Sequence, residues 1–170
     1  MSERAQKFVD YIIQQVQDNK GKAAALKHAD NPNTEYQSWE ILAGFGVQLD
    51  NENQRLPFTT IAADIARVKP LTNGNITIGS AIARCYEDGN QSDQAKAKLR
   101  RLLACDTTSE ACRILRPLLS LISSKDGISL NYVDLLDDLL WFSHDDSRQR
   151  IKARWAQQFY GKQTEDGADE

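Results

Sequence analysis

The chain has 170 residues, 41% hydrophobic, 26% charged and 8% aromatic, which is the makeup of one ordinary globular domain and leaves two full domains cramped. Nine Gly, three Cys and an ample apolar fraction exclude collagen-like, disulfide-scaffold and disordered classes. With 21 Lys plus Arg against 24 Asp plus Glu, the net charge of -3 argues against a general polyanion binder.

Nearly every segment reads at helical period. Phe8, Ile12 and Val16 recur at i, i+4, i+8, joined by Tyr11 and Ile13, and predict a helix over about residues 3 to 18 that Asp18-Asn19-Lys20-Gly21 ends. A short Ala-rich helix follows, closed by Asn31-Pro32-Asn33. In the next, Tyr36, Trp39, Ile41, Leu42 and Phe45 are expected as core anchors before Gly44 and Gly46 stop it. Thr59 or Thr60 is expected to open a helix through Ile61, Ile65 and Val68, and Pro70 to end it. After a loop over residues 71 to 75, helices are predicted over residues 77 to 87, 92 to 104 and 108 to 123. Pro117 should kink or break the last of these, having no N–H for the carbonyl of Arg113.

Ser129 is expected to start a helix dense in Leu135, Leu136, Leu139, Leu140, Trp141 and Phe142. Ser147 or a preceding aspartate should cap the last helix, with Ile151, Trp155 and Phe159 at i+4 steps. Alternation around residues 75 to 78 is too short for a sheet, so the expected fold is all-α, a compact bundle of about eight helices over residues 1 to 160. No apolar run approaches the roughly 20 residues that span a bilayer, and Asp10 interrupts any signal-peptide core. A cytoplasmic location is expected, and Cys85, Cys105 and Cys112, lacking any CxxC pair, are expected as core or surface thiols in a reducing compartment.

The charge is unevenly placed. The last ten residues hold Lys162 against Glu165, Asp166, Asp169 and Glu170, which is the whole net -3, and this tail, 161 to 170, reads as disordered. Residues 96 to 125 carry seven bases against Asp106 and Glu110. Residues 126 to 146 carry six Asp and no base, and residues 148 to 154 carry four bases and no acid. Blocks of one sign leave helix faces with real potential, whereas interleaved charges cancel as i,i+4 pairs.

No catalytic signature survives. Gly44-Phe45-Gly46 lacks the third glycine and preceding strand of a dinucleotide loop, and no GKS or GKT phosphate loop exists. His144-Asp145-Asp146 could place a base beside its orienting acid, yet no matched nucleophile accompanies it, and His28 lies far away in sequence. Asp134, Asp137 and Asp138 share one helix face, expected to be solvated or partner-facing rather than metal-binding. Neither a catalytic residue nor a metal or cofactor is expected.

The basic set is more specific. Lys98 and Arg101, and again Arg113 and Arg116, stand at i,i+3, with Arg100 on an adjacent flank. Arg148 with Lys152, and Arg150 with Arg154, form two i,i+4 rows opposite the Ile151, Trp155, Phe159 stripe. Such rows can follow a phosphate backbone, Arg as a bidentate fork and Lys as a point charge. No aromatic is interleaved among the basic positions expected to be exposed, so contact to phosphates rather than stacking on bases is expected.

The arrangement from Ile78 to Tyr160 resembles the CasB family, the small subunit of the type I-E CRISPR surveillance complex Cascade. The matching runs are Ile78-Gly79-Ser80-Ala81-Ile82-Ala83, residues 99 to 106 (LRRLLACD), residues 113 to 119 (RILRPLL) and the closing RQRIKARWAQQFY. A weaker match covers the opening helix, the basic turn from Lys20 to His28 and the segment with Tyr36, Trp39 and Phe45-Gly46. The resemblance implies a non-enzymatic α-helical subunit, present as a pair beside the backbone and large subunits that accompany the CRISPR RNA. It would help hold opened target DNA, including the displaced strand. The family's basic positions fall on Lys20, Lys22 and Lys27, on Arg100 and Arg101, on Arg113 and Arg116, and on Arg148, Arg150 and Arg154. Where the family tends to pair arginines after the first turn, this chain has Lys27-His28. With the acidic tail, that departure fits contacts made inside an assembly. A helical protein-protein adaptor without nucleic-acid contact is the rival, and a hydrolase using His144 the third possibility.

Overall fold

Most helices begin where a short polar side chain takes up a free N–H of the first turn. In the computed structural model, which describes residues 2–161, Ser2 does this for α1 (Glu3–Asp18) and Asn19 for α2 (Lys20–Lys27). A 3-10 turn, Glu35–Ser38, leads into α3 (Trp39–Phe45), which ends on Gly46 at φ 106°, a left-handed conformation suited to glycine. Asn51 caps α4 (Glu52–Val68), α5 is Ile78–Arg84, and Ser92 caps α6 (Asp93–Leu103). Thr107 caps α7 (Thr108–Ser123), Asn131 caps α8 (Tyr132–Trp141), and α9 is Asp145–Tyr160. Among the described residues there are nine α-helices and no strand, only an isolated parallel bridge between Ile76 and Leu130. None of these helices is long and apolar enough to cross a membrane. The expected acidic tail, from residue 162 on, lies outside the described residues.

Several sequence expectations are corrected. α4 starts at Glu52, so Thr59 and Thr60 are buried inside it rather than opening it. Pro57 is tolerated within α4, and α7 runs unbroken through Pro117, which sits on its exposed side. Gly44 is an ordinary helical residue of α3. α8 starts after Asn131 rather than at Ser129, and His144 holds the cap position of α9 without a side-chain cap bond. Tyr36 is 61% exposed and Trp39 37%, so neither anchors the core as expected.

The ten residues from Pro57 to Ala66 are all buried, because α4 is surrounded by α1, α2, α7 and α8. Near the middle of α4 the rings of Phe8 and Phe58 meet edge to face with centroids 4.6 Å apart. Toward the C-terminal end of α4 Asp64 accepts the Tyr132 hydroxyl at 2.8 Å and pairs with Arg67, which also reaches Asp30 at 3.0 Å. Burial raises the Asp64 carboxyl above its usual range, against the pull of Tyr132 and Arg67.

A second unit of packing joins α5, α6 and α9. Gly79 of α5 lies so close to α9 that a Cβ there would stand 2.4 Å from the Trp155 carbonyl oxygen and 2.5 Å from Gln158 Cβ. Trp155, fully buried, stacks on Phe142 at 5.6 Å and donates its indole N–H to Asp138 Oδ2 at 2.8 Å. Arg154 bonds the other oxygen of Asp138. Asp138 is therefore a buried structural acceptor, not part of a solvated acidic face; desolvation pushes its carboxyl up to about 6 despite Arg154 and Trp155.

Gly79→Ala should lower stability by about 1–3 kcal/mol through overpacking of α5 against α9, measured by chemical denaturation; an unchanged midpoint would contradict the close packing. Asp138 holds its proton more tightly folded than unfolded, so its contribution to stability falls as pH rises from about 4 to 6. The stability difference between wild type and Asp138→Asn should shift toward wild type at the acidic end of that window and level off above it. A difference independent of pH would contradict the assignment.

Candidate nucleic-acid interface

The cations split into two groups according to what the fold asks of them. On α6, Ala95, Leu99 and Leu102 are buried, which turns Arg100 and Arg101 fully outward and leaves Lys98 half-buried on the side toward α7. On α7, Ala111, Cys112, Leu115, Leu118 and Leu119 face inward and Arg113 faces solvent. Lys98 and Arg101 border a small cleft of about 90 Å³ against Ile114, Pro117 and Leu118 of α7, whereas Arg113 borders a separate hollow together with Asp30, Glu35 and Arg116. Among the described residues none of Lys98, Arg100, Arg101 and Arg113 forms an ion pair. The unpaired bases of α6 and α7 thus lie on more than one face, with Lys98 and Arg101 at the seam between the two helices.

The other expected binding residues are largely engaged. Arg116 lies 3.7 Å from Asp30, which Arg67 also holds. The Arg148 side chain, 14% exposed, bonds Asp145 and the carbonyl of Phe142, bolting the turn between α8 and α9. Lys152 reaches Asp106 at 3.1 Å, tying α9 to the loop before α7, and Arg154 is bound to Asp138. Of the two α9 rows only Arg150 is exposed without an acidic partner among the described residues, its guanidinium donating to Ser147 Oγ. Lys20, Lys22 and Lys27 lie apart on α2. Lys20 and Lys22 are exposed, Lys22 donates to Gln15, and Lys27 is half-buried. The sequence blocks thus overstate the free positive charge on α9 and at Arg116 of α7.

Trp141 is the side chain that the sequence misplaced. Counted with the leucines of α8, it is instead 53% exposed beside Arg150 and Arg154, so an aromatic does stand among exposed bases. The signal was available: Trp141 follows Asp137 by four residues and Asp134 by seven, which puts it on the acidic face of the helix. His144, exposed, leans its ring on Trp141 with centroids 5.4 Å apart.

The remaining reactive types have structural surroundings. Cys85, Cys105 and Cys112 are free and buried, and desolvation drives the Cys112 thiol up to about 12, far from a reactive thiolate. No group of three His, Cys, Asp or Glu among the described residues is placed to hold a metal. A hollow of about 320 Å³ beside Arg113 has Asp30 and Glu35 on its wall, held by Arg67 and Arg55.

Comparison with known proteins adds the family. A search of curated proteins finds no match. Among solved structures the chain is similar to CasB from M. ruber, with 24% identity, a TM-score of 0.73 and 94% of each chain covered. It is similar to a CRISPR-associated protein of the Cse2 family from Thermus thermophilus, with 21% identity, a TM-score of 0.74 and 95% of this chain and 100% of that one covered. A chain of a CRISPR RNA-guided surveillance complex matches with 18% identity and a TM-score of 0.72 over 92% of this chain and 91% of that one. These likenesses share the all-α fold. The family model of CRISPR-associated protein Cse2 (CRISPR_cse2) matches residues 22–160, from the first turn of α2 to the last residue of α9. That span is most of the chain, and this chain belongs to the CRISPR-associated Cse2 family.

Proposed function

We propose that the chain is the non-catalytic small subunit of a CRISPR RNA-guided complex of the Cascade kind, acting in antiviral defence. In this role it holds opened target DNA, including the displaced strand, through phosphate contacts, and its other faces meet the backbone and large subunits and a second copy of itself. The observation that carries the proposal is that four bases of α6 and α7, Lys98, Arg100, Arg101 and Arg113, form no ion pair among the described residues. Three of them, Arg100, Arg101 and Arg113, are exposed on adjacent helices, and Lys98 is half-buried between the two. Strand exchange along a guide is nearly balanced in energy, so modest backbone contacts are enough to tip it.

Lys20, Lys22, Lys27 and Arg150 extend the proposed contact set. Arg116, Arg148, Lys152 and Arg154 serve the fold first, and their contribution to binding is correspondingly smaller. An adaptor that touches only protein has its own support in the exposed Tyr36 and Trp39, and those side chains fit the subunit contacts of the same assembly.

In the reconstituted complex, Arg100→Ala combined with Arg101→Ala should weaken retention of target DNA by about 5- to 30-fold, from up to about 1 kcal/mol per exposed charge pair. Thermal melting of the subunit should not change, since both side chains are exposed. A double variant that assembles and retains DNA like wild type would overturn the phosphate-binding role and favour the adaptor.

A further inference from the structure

The cleft between α8 and α9 is built differently from the α6–α7 seam. Its volume is about 290 Å³, just below the usual range for ligand pockets of roughly 300–1,000 Å³, so it suits one planar group rather than a long segment. Trp141 forms one wall, Ile151 contributes an apolar patch, and Arg150 and Arg154 stand on the α9 side. Trp141 is the last residue of α8 and more than half exposed, while Leu135, Leu136 and Leu139 of the same helix are sealed in the core. An indole left in water beside two guanidinium groups is a feature that packing does not require.

The charges in the cleft are ordered. Asp138 is not a bare anion toward the opening, because Arg154 and the Trp155 N–H occupy its two oxygens. Arg150 has no carboxylate partner among the described residues and is steadied by Ser147 Oγ at 3.3 Å. Asp137, one turn before Trp141 and also lining the cleft, offers an acceptor. An aromatic face, a free guanidinium and a nearby acceptor are the three groups that recognise a nucleotide: ring for base, guanidinium for phosphate, carboxylate for an exocyclic amine.

We infer that the α8–α9 cleft binds one unstacked nucleotide of single-stranded DNA, its base on Trp141 and its adjoining phosphate on Arg150. The inference rests on the nucleic-acid role proposed above and adds a base contact where the sequence pointed to phosphates alone. Stacking on an indole tolerates any base, so the site grips a strand without selecting sequence.

The test uses the full chain carrying Trp39→Phe, which leaves Trp141 as the solvent-exposed indole, since Trp155 is 0% exposed. Tryptophan emission is titrated with a short single-stranded oligodeoxynucleotide and with an abasic backbone of the same length. Saturable quenching by the first is expected, with affinity about tenfold or more above the abasic strand. Read by the anisotropy of dye-labelled strands, since these variants lack the exposed indole, Trp141→Ala should abolish that difference while leaving abasic binding unchanged, and Trp141→Phe should keep most of it. Equal affinity for both strands in the parent chain would overturn the nucleotide site and leave the phosphate-binding role standing. No quenching even at millimolar oligonucleotide would also overturn it, because the cleft is already formed in the chain by itself. If Trp141→Ala leaves both affinities unchanged but prevents assembly with partner subunits, Trp141 is a protein contact and the inference fails.

Discussion

The seating of Trp155 is the constraint on which the rest of the molecule depends. A fully buried indole must give its N–H to an acceptor, and the available one is Asp138 of α8. Burying that carboxylate in turn demands compensation, which Arg154 supplies from the residue next to Trp155. One turn of α9 is thereby fixed in rotation and depth against α8, and Gly79 lets α5 close over its other side. The cleft holding Trp141 and Arg150 is a direct product of that seating, since its two walls are the helices so joined.

The same logic sorts the charges. The acidic block of residues 126 to 146 and the basic block of residues 148 to 154 are consecutive in the chain and pair with each other at two points, Asp138 with Arg154 and Asp145 with Arg148. Lys152 is taken up by Asp106, the acid between α6 and α7. That pair removes an acid from the neighbourhood of Lys98, Arg100, Arg101 and Arg113 without adding a free base to α9. Among the described residues unpaired bases remain on α6 and α7, on α2 and at Arg150 of α9. A chain of net charge -3 can therefore keep unpaired bases on adjacent helices, and its overall charge says little about those surfaces.

Local signals were legible in the sequence where they were sufficient. Ser92 before α6 and Thr107 before α7 are short polar residues ahead of apolar-periodic runs, and both cap as such residues should. The all-α class followed from period alone. The start of α4 was hidden because Pro57 reads as a breaker, while α4 tolerates its missing N–H in the second turn. Trp141, Tyr36 and Trp39 were assigned to the core by hydrophobicity, yet burial depends on which neighbour covers a face. For Trp141 the helical register with Asp134 and Asp137 was the better guide. The division of bases into bolted and free could not be read at all, since pairs such as Lys152 with Asp106 and Arg116 with Asp30 join distant parts of the chain.

The central claim is that the unpaired cations of α6 and α7 meet phosphates, and the most direct measurement is the salt dependence of single-stranded DNA binding by the subunit within its complex. Each phosphate neutralised on a single strand contributes about 0.7 to the log-log slope of affinity against salt. Replacing Lys98, Arg100, Arg101 and Arg113 together by neutral residues of similar length should make that slope shallower by about 2.8. An unchanged slope, with DNA still bound, would place the phosphates elsewhere and contradict the account.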